Sequence, residues 1–277
     1  MIPLRDDVPS RTTPVVNYVL IAITALVFLA QLGQVPDDPS LVERYGMIPA
    51  RVLDADAQVV FSERQLVRTP LGLVERRIQR PAAAAAVPAW LTVVTCIFLH
   101  GGWMHFLGNM WFLWIFGDNV EDRLGHWGYV GFYLGTGVLA TLAHLVMNLG
   151  SNLPVIGASG AIAGVMGAYF VLYPRAKVLT LVPVLFLIRI LVLPAPLFLG
   201  VWFLLQFLQG SMAAASSGAG VAWWAHIGGF VAGFVVGRVL YARDRARPRV
   251  ELLGPERDDG RLGTARWLET RDRRSRW

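Results

Sequence analysis

Apolar runs close to the length of a lipid bilayer constrain this chain more than any other feature. The first, VVNYVLIAITALVFLAQL from Val15, carries no charge, and about 20 such residues in helical form cross the hydrocarbon layer. Similar runs occupy about 15–34, 103–120, 129–149, 159–173 and 223–241. Polar joints separate them. Only 16% of the 277 residues are charged, against about a quarter in a soluble domain. Without water in the bilayer core, backbone groups must be satisfied within each segment, which selects helices. The expected fold class is all-α, a polytopic membrane bundle.

The region 178–208 is less regular. It holds Arg189 and is interrupted by Pro183, Pro194 and Pro196. As one helix it would measure about 46 Å, too long for a single crossing. We read 178–190 as a surface-lying or irregular piece and about 191–208 as a span, which makes six. Six spans put both termini on one side, together with Arg5, Arg11, Arg123, Arg175, Lys177 and Arg189. The other side has no lysine or arginine in 150–157 or 209–222. Its long loop, 35–89, balances seven arginines with seven acids, and long loops escape the positive-inside rule.

Both termini are therefore expected in the cytoplasm. Residues 1–14 form a leading segment, 15–241 the membrane domain and 242–277 a disordered basic tail. From Arg238 onward there are twelve arginines against seven acids. Such charge beside a span marks topology or a contact with anionic lipid, so nucleic acid is not an expected partner. The first run shows no clear small-residue cleavage site and reads as a retained span. Cys96 is the sole cysteine, which excludes an internal disulfide and offers no metal-ligand pair.

Chemistry concentrates around GASGAIAG, residues 157–164. Pro154 and Gly157 favour a helix start near Ser159, and Arg175 and Lys177 fix the other end of that helix at the membrane surface. A helix of 159–173 measures about 22 Å, shorter than the roughly 30 Å hydrocarbon layer. Ser159 is then sunk below the outer surface, where irregular backbone is tolerated only under protein or beside a water-filled cavity. A serine among small residues is often merely a packing residue or a helix cap. Its surroundings argue for more.

His226 lies near the outer end of the last span, and an ionisable group inside a bilayer points to function by default. Gly229, Gly233 and Gly237 recur every four residues beside it, and Gly160, Ala163, Gly164 and Gly167 offer a matching face. Packing these faces would bring His226 level with Ser159, where a neutral imidazole takes the hydroxyl proton and returns it to a leaving amine. His105 and Asn109 share one helix face. With the Ser159 N–H they form a donor set for an oxyanion. His100, just outside His105, orients the loop or holds water. A zinc reading through His100, His105 and His144 has no HExxH motif or cysteine behind it.

These segments resemble the rhomboid family of intramembrane serine proteases. The resemblance rests on HGGWMHFLGNM (100–110), EDRLG (121–125), GASGAIAG (157–164) and AHIGGFVAG (225–233), with YGMIPAR (45–51) and WFLLQFLQG (202–210) close to bacterial members. It implies a six-helix rhomboid-like bundle whose short fourth helix starts inside the membrane. Ser159 would be nucleophile and His226 general base, a dyad without an acid, and His105 and Asn109 would line the oxyanion hole. It implies no metal and no cofactor. Substrates would be single-span membrane proteins, approaching past the fifth span and loop 210–221 and cut near the outer boundary of a bacterial plasma membrane. Where some members stack a tyrosine on the base, this chain has Ala163, so support for His226 is expected from glycine packing or from Trp223 and Trp224. The alternative is a non-catalytic relative that binds or escorts membrane proteins. The sequence leaves oligomeric state open.

Overall fold

The computed structural model describes residues 1–35, 40–54, 56–69, 72–184, 187–215 and 222–246. The basic segment 247–277 and residues 216–221 lie outside the described residues, whereas 210–215, expected as part of a loop, continue the helix that begins at Ala195. Strand β1 (Ile2–Asp6) precedes α1 (Val15–Leu32), and the first loop contains α2 (Leu41–Tyr45), α3 (Pro49–Leu53), β2 (Val60–Thr69) and β3 (Gly72–Pro81). A short α4 (Thr92–Thr95), between single 3-10 turns, leads to α5 (Trp103–Leu124), α6 (His126–Met147) and α7 (Ser159–Leu172). Strands β4 (Lys177–Val184) and β5 (Leu187–Pro194) follow, then α8 (Ala195–Ala215) and α9 (Trp223–Ala246).

The result is a mostly helical polytopic bundle. Helices α1, α6 and α9 are long and apolar enough to cross a membrane, and Ala89–Phe98 with α5 makes a fourth candidate bent by 79°. Helix α7 and Ala195–Leu208 of α8 are apolar but shorter. At 14 residues, α7 measures about 21 Å. It runs through the centre, with every residue from Gly160 to Tyr169 buried. Its small side chains are what admit so many neighbours. A Cβ at Gly229 would strike the Gly160 carbonyl, and one at Gly233 would strike that of Gly164. Helices α7 and α9 therefore touch main chain to main chain, the closest approach two helices can make.

Two small sheets accompany the helices. Residues 178–184 and 187–194, expected as a surface piece running into a span, instead form the antiparallel pair β4–β5, and β1 pairs with β4 in the order β1-β4-β5. The helix in this region begins only at Ala195. The physical reason is the run VLTLVPV…LIRILVLP, rich in β-branched residues that favour a pleated surface. Lateral pairing satisfies its backbone, so neither Pro183 nor Arg189 has to fit a helix within lipid. The leading segment is thereby tied down. Trp111 Nε1 donates to the Pro3 carbonyl at 2.6 Å, and the Asp6 carboxylate accepts from Tyr169 at 2.5 Å and Asn119 at 2.9 Å. The second pair, β2–β3, is an antiparallel hairpin within loop 35–89.

Glu121 of the EDRLG segment organises the same end. Helix α1 starts after Pro14 with no side-chain cap, and Glu121 supplies one from another helix. Its carboxylate accepts the N–H groups of Val16 (3.0 Å) and Asn17 (2.7 Å) and lies 2.5 Å from His126 Nδ1. Asn17 is tied in as well, donating to the Leu113 carbonyl at 3.0 Å and accepting from Tyr129 at 2.9 Å.

Candidate active site

Ser159 is the first residue of α7, and the chain reaches it through Gly157 at φ +121°. Only glycine adopts this conformation without strain. Space demands it too, because a Cβ there would sit 2.7 Å from His105 Nε2. The approach is braced on both sides. The Gly157 N–H donates to the Cys96 carbonyl at 2.9 Å, and Met47 and Val155 exchange backbone hydrogen bonds of 3.1 and 2.8 Å. The YGMIPAR segment thus holds the strand-like lead into the serine.

Close contact of α7 with α9 sets the second residue. Ser159 Oγ and His226 Nε2 are 2.6 Å apart, and His226 is only 8% exposed. The other ring nitrogen, Nδ1, lies 2.6 Å from Oε1 of Gln206 on α8. Trp223 meets the imidazole edge to face and Trp202 flanks it, each with ring centroids 6.0 Å away. Trp224, expected beside the base, faces elsewhere. It lines an apolar groove with Leu139, Leu142 and Gly228, because the next residue along a helix turns away by about 100°.

His105 and Asn109 converge from α5 onto Gly157. The Cβ position of Gly157 lies 2.7 Å from His105 Nε2 and 3.7 Å from Asn109 Nδ2. The Gly101 N–H donates to His105 Nδ1 at 3.4 Å, which leaves the ring proton on Nε2, the nitrogen that faces the serine's approach. Asn109 Nδ2 lies 2.9 Å from His100 Nε2. That contact uses one amide hydrogen and leaves the second to donate. His100 is in turn clamped to α1, where Gln31 accepts its backbone N–H at 2.9 Å and donates to its carbonyl at 3.0 Å. His105 Nε2–H and Asn109 Nδ2–H thus converge beside Gly157, two residues before the start of α7, whose first N–H groups have no intrahelical partner. The positive end of the helix dipole adds to them.

The sequence expectations thus meet here as a group. Ser159, His226, His105, Asn109, Gly157 and His100 share one site, while Gly160 and Gly229 form the contact beneath it. Gln206 was the residue missed. Its signal was present in WFLLQFLQG, a polar amide inside an otherwise apolar run, which within a bilayer asks for a partner.

The Rhomboid domain family matches residues 88–243, more than half of the chain. The chain belongs to the rhomboid family. Among its curated relatives, Rhomboid protein 1, mitochondrial, of Saccharomyces cerevisiae is 29% identical over 160 residues, 54% of this chain and 42% of the relative. Rhomboid-like protein 11, chloroplastic, of Arabidopsis thaliana is 44% identical over 77 residues, 28% of this chain and 27% of the relative. Rhomboid protease GluP of Bacillus subtilis is 38% identical over 79 residues, 28% of this chain and 15% of the relative. The chain spans less than half the length of each of these. Family and apolar helices together make this rhomboid a multi-pass membrane protein.

Proposed function

We propose that this rhomboid is an intramembrane serine endopeptidase that cleaves single-span membrane proteins near the outer boundary of the bilayer. Ser159 is the nucleophile. His226 Nε2 takes the hydroxyl proton as Oγ bonds to the scissile carbonyl carbon, and later delivers that proton to the leaving amine. Negative charge on the carbonyl oxygen is held by His105, Asn109 and the Ser159 N–H. The observation that carries this reading is the 2.6 Å contact between Ser159 Oγ and His226 Nε2. Gly157, Gly160, Gly229 and His100 support the geometry without touching the reacting atoms. No metal or cofactor takes part.

Residues 15–241 form six spans with both termini in the cytoplasm of a bacterial cell, 1–14 lead into the first span, and 242–277 are a cytoplasmic tail. A helical substrate hides its carbonyls in hydrogen bonds, so it must unwind locally before attack, and helix-breaking residues favour cleavage.

The test uses the full chain in liposomes with a fluorophosphonate probe and a single-span substrate. Wild type should be labelled and should cut, and Ser159→Ala should do neither while unfolding at the same temperature. Cleavage by Ser159→Ala, or failure of folded wild type to react with the probe, would overturn the reading in favour of a non-catalytic binder.

A further inference from the structure

The mechanism above needs a particular tautomer. A general base at His226 must present a lone pair to the Ser159 hydroxyl, which places the imidazole proton on Nδ1. Nothing on α9 itself selects that form. Gln206 does, from a neighbouring helix.

We infer that Gln206 is a positioning residue that locks His226 as the Nδ1–H tautomer and so leaves Nε2 free to accept the serine proton. The inference rests on the proposed proteolytic role of the Ser159–His226 pair. Its geometric basis is Gln206 Oε1 at 2.6 Å from Nδ1, with Nε2 at 2.6 Å from Ser159 Oγ on the opposite side of the ring. Trp202, one turn before Gln206 on α8, and Trp223 confine the ring. The imidazole therefore cannot rotate away from both partners at once.

An amide oxygen accepts and never donates. Facing Nδ1, it is satisfied only when that nitrogen carries hydrogen. After proton transfer the imidazolium holds hydrogen on both nitrogens, and the Nδ1–H bond to Gln206 persists unchanged. When Nε2 gives its proton to the leaving amine, the ring returns to the starting tautomer. The amide thus keeps the base in register through the cycle without itself exchanging a proton. It does so as a neutral group, avoiding the cost of a buried carboxylate in a membrane site.

The test combines kinetics with a direct reading of the proton. Gln206→Leu and Gln206→Met keep the bulk and remove the acceptor, whereas Gln206→Glu restores one. Full-length protein with 15N-labelled histidine, assigned against His226→Ala, should show hydrogen on Nδ1 of His226 in wild type and a mixture of tautomers in the Leu and Met variants. On a single-span substrate those two variants should lose about 10- to 100-fold in kcat with KM within about twofold, less than the roughly 10⁴-fold that a wrong tautomer costs a soluble serine protease. Gln206→Glu should keep most activity at neutral pH and lose it more steeply than wild type on acidification, because a protonated carboxyl can donate. Hydrogen on Nε2 in wild type, or an unchanged tautomer and kcat in both acceptor-less variants, overturns the inference. The spectrum needs no turnover, so these outcomes stay separate from a failure of the proteolytic reading, in which wild type itself would not cut.

Discussion

Two polar clusters lie at opposite ends of the bundle, and they have opposite characters. At the sheet end, Glu121, Asn17, Tyr129, Asp6, Asn119 and Tyr169 take part in a dense set of side-chain and backbone hydrogen bonds. At the serine end, a hydroxyl and an imidazole face each other, and donors converge on Gly157 with capacity left over. His100 Nδ1 is buried there with no hydrogen-bond partner. Carboxylates, amides and phenols build a staple in one place, and a hydroxyl, imidazoles and an amide frame a less completely paired site in the other. What separates them is how completely their bonds are satisfied, since satisfied networks rigidify while spare donors wait for charge.

Substitutions can break that contrast or sharpen it. The largest effect belongs to Ser159→Ala, expected to lower kcat by about 10⁴-fold or more with no change in unfolding temperature. Asn109→Ala should cost about 10²- to 10³-fold in kcat, with KM nearly unchanged, because its donor acts on charge that exists only in the transition state. A fall in affinity alone would remove Asn109 from the oxyanion role. At the sheet end the readouts should exchange. Glu121→Ala leaves buried N–H groups of α1 without an acceptor and should destabilise the fold by about 2–3 kcal/mol, seen in thermal unfolding, while the surviving folded protein keeps its turnover. Loss of catalysis in the folded fraction would mean the two ends are not independent.

The smallest effect is a pH response of opposite sign on the two sides. Burial alone would raise the Glu43 carboxyl of the first loop. Hydrogen bonds from Arg80 and the Ala83 N–H outweigh that and hold it below its ordinary 4.5. Its contribution is present above pH 4.5 and is lost as pH falls through the lowered value. Burial lifts Asp6 above its ordinary 3.8 despite the bond from Tyr169. Its contribution is complete below 3.8 and is lost as pH rises through the raised value. Acidification should therefore lower the protection of amides against hydrogen exchange, relative to their intrinsic rate at each pH, in α2 and raise it in β1. A common sign at both places would refute the assignment.

Most of the helical frame was legible because membrane crossing leaves few choices. The runs at 103–120, 129–149 and 223–241 foretell α5, α6 and α9 within a few residues. The start of α7 could be read from Pro154 and Gly157. Its contact with α9 could be read from glycines spaced by four. The pair β4–β5 was not legible, since a continuous apolar run serves a buried strand or a helix equally. One of its partners, β1, lies far away at the start of the chain. Pro183 and Arg189 signalled only that a plain helix would not do. Gln206 was visible as a polar residue, but its target depends on how α8 is rotated against α9, which no local pattern encodes.

Where α7 and α9 meet, carbonyls occupy the space that side chains would fill in an ordinary helix pair. This seam leaves no slack between Ser159 and His226. Membranes of different thickness tilt and shift the helices they surround, yet a backbone-to-backbone joint at the centre isolates the pair from such strain. Thinner or thicker lipid should therefore alter how readily substrates are captured, while the intrinsic rate of bond cleavage stays nearly constant.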